Sequence, residues 1–92
     1  MRQEIRILPS GTAEFCHLHK VDGDWIEWIN YSDHDSVIQF KDGPFYTDTF
    51  VVKTGQSATS GPIKQTANGD YMYAVQPVGV AAMAADPHVI IH

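Results

Sequence analysis

Trp25-Ile26-Glu27-Trp28-Ile29-Asn30, the polar stretch Tyr31-Ser32-Asp33-His34-Asp35 and the run Ser36-Val37-Ile38-Gln39-Phe40 together decide the fold class. Successive side chains of an extended strand point to opposite faces of a sheet, so a half-buried strand alternates apolar with polar residues. Ile26 and Trp28 then share an inward face against Glu27, and Ile38 and Phe40 flank an outward Gln39. The polar stretch between the two runs reads as a short loop.

The same alternation recurs on both sides of this segment. Ile5 and Ile7 share a face of a first strand, and Cys16 and Leu18 face inward while His17 and His19 face out. Tyr71, Tyr73 and Val75 form another inward set, and the last strand, His88 to His92, buries Val89 and Ile91. Turn signals at Pro9-Ser10-Gly11, Asp22-Gly23, Asp42-Gly43-Pro44, Thr54-Gly55, Ser60-Gly61-Pro62 and Asn68-Gly69 separate the runs. A turn roughly every ten residues predicts an all-β sandwich of about seven or eight strands in two packed sheets. Helical periodicity is nearly missing: Ala-rich Val78 to Ala85 reads as a helical turn or a compact loop. Thr54 to Asn68 reads as a long loop, with Gln56 to Thr59 as a weak edge strand.

Ninety-two residues allow one domain, residues 1–92, with one core. A chain that is 43% hydrophobic and 18% charged is globular rather than disordered. The net charge is −5, and Arg2, Arg6, Lys20, Lys41, Lys53 and Lys64 are scattered, which argues against a nucleic-acid partner. Cys16 stands alone, so packing without an intrachain disulfide must hold the fold. Charges run through the N-terminal segment, and no later stretch approaches a membrane span. The expected compartment is cytoplasmic for the sequence as written, and periplasmic or secreted if an export signal has been trimmed.

A second motif, Gly69-Asp70-Tyr71-Met72-Tyr73-Ala74, runs into Val75, then Pro77-Val78, then Met83. With the Asn30 to Phe40 segment, it resembles the cupredoxin (plastocyanin-like) family. In that family a strand ends in Asn, and the strand after a short loop opens with a copper-binding histidine. The resemblance implies a cupredoxin-like Greek-key β-sandwich. It places Ser36 at the first ligand position, with His34 two residues early, Val75 at the thiolate position and Val78 at the second imidazole position. Met83 alone keeps its ligand type. A blue-copper site needs a thiolate and two imidazoles, with methionine only a weak axial donor. The expectation is therefore a member lacking the type 1 copper ligands, with no cofactor, in which Val75, Val78 and Met83 close a small apolar cluster.

Three further groups have chemical potential. His17 and His19 share one strand face and His88 and His92 another. In cupredoxins the second strand can lie beside the last, so the four imidazoles form an alternative surface cluster for zinc or copper. The plainer reading of exposed strand histidines is polar filler. Asp33-His34-Asp35 offers a base with acidic neighbours but no nucleophile or oxyanion donor, and Asp22-Gly23-Asp24 lacks the oxygen-rich spacing of a calcium loop. Cys16 reads as a small buried hydrophobe.

Gln76 to Ala85 carries no charge over ten residues. In copper-bearing relatives the corresponding loop docks redox partners, so Val78, Val80 and Met83 form the candidate interaction patch. The expected function is that of a non-catalytic module binding a protein or ligand, or assembling as a homo-oligomer. The alternative is a metal-binding or electron-transfer protein using the surface histidines.

Overall fold

Alternation in the sequence becomes sidedness in the fold. The computed structural model describes residues 1–9, 13–80 and 87–92. Eight strands are found among the described residues: β1 (Arg2–Ile7), β2 (Cys16–Leu18), β3 (Trp25–Asn30), β4 (Ser36–Phe40), β5 (Thr49–Val52), β6 (Ser57–Thr59), β7 (Gly69–Pro77) and β8 (His88–Ile91). They form a three-stranded sheet in the order β1-β3-β6 and a five-stranded sheet in the order β2-β8-β7-β4-β5. The inward sets close one core: Ile5, Ile7, Cys16, Leu18, Ile26, Trp28, Ile38, Phe40, Tyr73, Val75, Val89 and Ile91 are all buried, and half-buried Tyr71 packs against them.

The pairings explain how a short chain makes two layers. β1 runs parallel to β3, with Ile5 opposite Trp28, and β2 runs parallel to β8, with Cys16 opposite Val89. Parallel neighbours need a crossover connection, and here the chain makes it by visiting the other sheet between β1 and β3. The weak edge strand expected at Gln56 to Thr59 is β6, antiparallel to β3 with Ala58 opposite Trp28. The stretch 54–68 is therefore not loop throughout. It also forms a bridge between Phe45 and Ile63.

Trp28 is the centre of the core. Phe50, Tyr73, Phe45 and Phe40 surround it with ring centroids at 4.9, 6.0, 6.2 and 6.3 Å. Its Nε1 donates to Tyr73 Oη at 3.3 Å, which provides a partner for the one polar atom of a fully buried indole. Phe50 reaches the core through the alternation of β5, opposite Ile38, and Phe45 follows the Asp42-Gly43-Pro44 turn, which folds tightly over Phe40. A Cβ on Gly43 would stand 2.6 Å from Phe40 Cβ, so only glycine fits there.

Because β4 is antiparallel to both β5 and β7, with Ser36 opposite Val52 and Pro77, one end of the sandwich collects the start of β4 and the ends of β5 and β7. The ends of β1 and β3 and the start of β6 lie at the same end. This end holds the positions that the sequence singled out.

Candidate functional site at the Ser36 and Val78 end

Asn30 organises this end. Its buried side chain donates from Nδ2 to His34 O at 2.8 Å and Val52 O at 2.9 Å. Its Oδ1 accepts from Ser32 N at 2.9 Å and Ser32 Oγ at 2.6 Å. One amide thus fixes the 31–35 loop and ties β3 of one sheet to β5 of the other. Asp35 adds a second anchor, its Oδ1 accepting from Thr54 N at 2.9 Å. The Asp33-His34-Asp35 group is accordingly built as a loop clamp, with Asp35 facing a backbone amide.

Ser36 and Val75 are both fully buried and point into the core. Ser36 Oγ has no hydrogen-bond partner among the described residues. Val78 N donates to Asp35 O at 2.7 Å, which seats the residue after β7 beside the residue before β4. The side chain of Val78 nevertheless points outward and is 51% exposed, so it does not join the apolar cluster that the resemblance led us to expect. The β7 strand continues to Pro77, and the chain turns at Val78-Gly79, which carries the side chain away from the core. Val80 is half-buried, and its carbonyl accepts from Gln76 Nε2 at 2.7 Å. Met83, with the rest of 81–86, lies outside the described residues.

Two exposed apolar side chains at this end were not singled out from the sequence. Leu8 is 37% and Tyr31 57% exposed, and Tyr31 N donates to Ile7 O at 2.9 Å, so the two follow adjacent strand ends. The signal was available: each is an apolar residue directly after the last inward residue of a strand.

Four of the five histidines, His17, His19, His88 and His92, are found on the outer face of the five-stranded sheet, as the β2 and β8 pairing requires. His17 Nδ1 lies 2.8 Å from His92 Nε2, and the His92 ring stacks against both His17 and His19 at centroid distances of 5.0 and 4.9 Å. His88 is separate: its Nδ1 meets Asp70 Oδ1 at 2.7 Å, and Phe15 packs between it and His17. As the side chains stand, no three His, Cys, Asp or Glu groups among the described residues converge as a ready metal site.

Two other residues resolve simply. Burial pushes the Cys16 thiol up to about 11, with the Asp24 charge adding to it, so it stays protonated and inert at neutral pH. Asp24 is buried beneath the 3-10 turn Lys20–Asp22. Burial alone would raise its pKa. The His19 N–H at 2.9 Å and the terminal ammonium at 3.3 Å outweigh that and hold it below the usual carboxylate range. Asp24 is thereby a structural anchor for the turn. An open cleft lined by Gln39, Phe40, Lys41, Asp42, Asp48 and Ala74 lies at the opposite end of the sandwich.

No family model and no curated protein matches the sequence. Solved structures do. A multicopper oxidase from the hyperthermophile Aquifex aeolicus superposes over 100% of this chain with a TM-score of 0.61 and 19% identity. A multi-copper oxidase from Pseudomonas parafulva does so over 100% with a TM-score of 0.63 and 14% identity. The fold is cupredoxin-like. The chain spans 26% and 29% of the lengths of those two proteins, so at these identities the likeness concerns one domain's architecture. No helix among the described residues is long and apolar enough to cross a membrane.

Proposed function

We propose that residues 1–92 form a single copper-free cupredoxin-like Greek-key domain that acts by binding and carries out no reaction of its own. The surface used is the end bearing Val78 and Val80, extended by Leu8 and Tyr31. The carrying observation is the half-exposed Val78, held by its backbone at the mouth of the loop while its side chain faces solvent. Apolar side chains grouped at one end of a small domain mark a contact with another protein surface. The copper-free reading is supported by the chemistry of the positions themselves: Ser36, Val75 and Val78 bring one neutral hydroxyl and two alkyl side chains where soft donors are needed.

Copper addition tests the first half. Cu(II) mixed with untagged protein should give no intense visible charge-transfer band, because the only thiol, Cys16, is buried and protonated. An intense blue or green band would overturn the placement of Val75 and Val78.

Self-association tests the second half, since a second copy is the simplest partner for an apolar end. Sedimentation at rising concentration should show dimers for the wild type and monomers for Val78→Glu. The melting temperature should hardly move, because exposed substitutions cost within about 0.5 kcal/mol. A wild type that stays monomeric throughout would remove the homo-oligomer reading. A Val78→Glu variant that unfolds easily would show Val78 to be part of the core.

A further inference from the structure

The β2 and β8 pairing does more than close a sheet edge. Its register carries on to place His92 beside His19, and the His92 ring stacks against the rings of both His17 and His19, which are two residues apart on the same strand face. We propose that His17 and His92, with His19 as third ligand, form a surface site for one borderline divalent transition ion of the Zn(II), Ni(II) or Cu(II) class. This site is independent of the apolar-end reading and shares no residue with it.

The first argument is distance. Metal to imidazole bonds of about 2.0–2.1 Å, at angles between square-planar and tetrahedral, place two neighbouring ligand nitrogens about 2.8–3.4 Å apart. His17 Nδ1 and His92 Nε2 stand 2.8 Å apart, at the short, square-planar limit of that range, so a tetrahedral ion needs only a few tenths of an ångström of separation. At 2.8 Å without an ion, the pair must share a single proton, one nitrogen donating to the other. Metal uptake moves that proton to the other nitrogen of the same ring, so that both facing nitrogens present lone pairs.

The second argument is what else each ring is doing. The His19 ring stacks on His92 at an interplanar angle of 20° and makes no hydrogen bond among the described residues, so a rotation of its side chain costs little more than the stacking. His88 is in a different position: it stands at the other end of β8 from His92, and Phe15 lies between it and His17. The ligand set is therefore three imidazoles, with His88 excluded.

Chemistry then fixes the class of ion. An all-imidazole set suits zinc, nickel and cupric ions and gives no foothold to calcium or magnesium, which require oxygen ligands. His17, His19 and His92 are all exposed, so an ion held there keeps open positions facing solvent.

The test is a calorimetric titration of the untagged chain with ZnCl2 and NiCl2 near neutral pH, with the imidazole NMR signals followed in parallel. One ion per chain should bind, shifting the His17 and His92 signals most. His17→Ala and His92→Ala should each weaken binding by at least about ten-fold, while His88→Ala should leave it unchanged. Acidification should weaken binding, because a protonated imidazole nitrogen has no lone pair to donate. All three substitutions fall on the outer sheet face, and unchanged circular dichroism melts would confirm that folding is intact. His92→Gln, which keeps a polar side chain but loses the imidazole, should behave like His92→Ala. The proposal is overturned if no ion binds at millimolar metal, if either ligand variant binds like the wild type, or if His88→Ala weakens binding as much. None of these results touches the dimerisation of the Val78 end, so the two proposals fail separately.

Discussion

Trp28→Ala is expected to cost about 3–5 kcal/mol, a large share of the roughly 5–15 kcal/mol that holds a typical domain together. Trp28 is fully buried where the two sheets face each other, in contact with four other aromatic rings. Truncation removes the transfer free energy of the indole and leaves a cavity, because β3 is fixed on both sides by β1 and β6 and cannot collapse inward. It also strips Tyr73 Oη of its donor. Burial already raises the Tyr73 pKa, so the hydroxyl stays neutral and is left short of a partner in the core. Urea unfolding would measure the loss, with Trp28→Phe as a milder control that keeps most of the ring contacts. An alanine variant within about 1 kcal/mol of the wild type would contradict the packing described for the aromatic cluster.

Asn30→Ala should be the next most damaging change, by about 3 kcal/mol, although it removes little apolar surface. The amide makes four hydrogen bonds, to His34 O, Val52 O, Ser32 N and Ser32 Oγ. Leaving a buried partner unpaired costs about 1–3 kcal/mol, and several partners are orphaned at once. The defect should be local as well as global. Hydrogen exchange should accelerate at Ser32 N and at Val78 N, which depends on the position of Asp35 O. Asn30→Asp sharpens the test, because a carboxylate cannot donate to the His34 and Val52 carbonyls. Ionisation is disfavoured in the folded state, so the folded pKa is raised. The variant's deficit relative to the wild type should then shrink as pH falls below that raised value and grow as pH rises through it. A deficit that does not change with pH would mean that the loop has moved to let water solvate the carboxylate.

Why the strands were legible and the end of the sandwich only partly so follows from what each depends on. Ile5, Ile7, Ile38, Phe40, Val89 and Ile91 are set by a period of two, a property of the chain over a few residues. Each of them is buried. Even the pairing of β2 with β8 was in reach, through the resemblance. Val78 was harder, because its direction depends on where β7 stops. The strand runs through Pro77 before turning, and that is a tertiary matter of pairing with Ser36. Phe45 entered the core without being singled out, because it follows the tight Gly43 turn outside any strand; Phe50 alternates with Val51 and Val52 in β5, a short run that was passed over. For the histidines, the sequence showed which ones share a face. Only coordinates showed that His92 sits between His17 and His19 and that Asp70 captures His88.

β8 lies between β2 and β7, parallel to one and antiparallel to the other, so these two strands, far apart in the sequence, are joined through it. A nascent chain that has not yet reached His88 has the backbone edges of Cys16–Leu18 and Gly69–Met72 bare, with Cys16, Leu18 and Tyr71 open to water beside them. Such edges invite strand addition from any neighbouring chain. Until residues 88–91 are made, the five-stranded sheet is split into a lone β2 and the three strands β7-β4-β5, and β8 is the strand that removes the hazard by joining them.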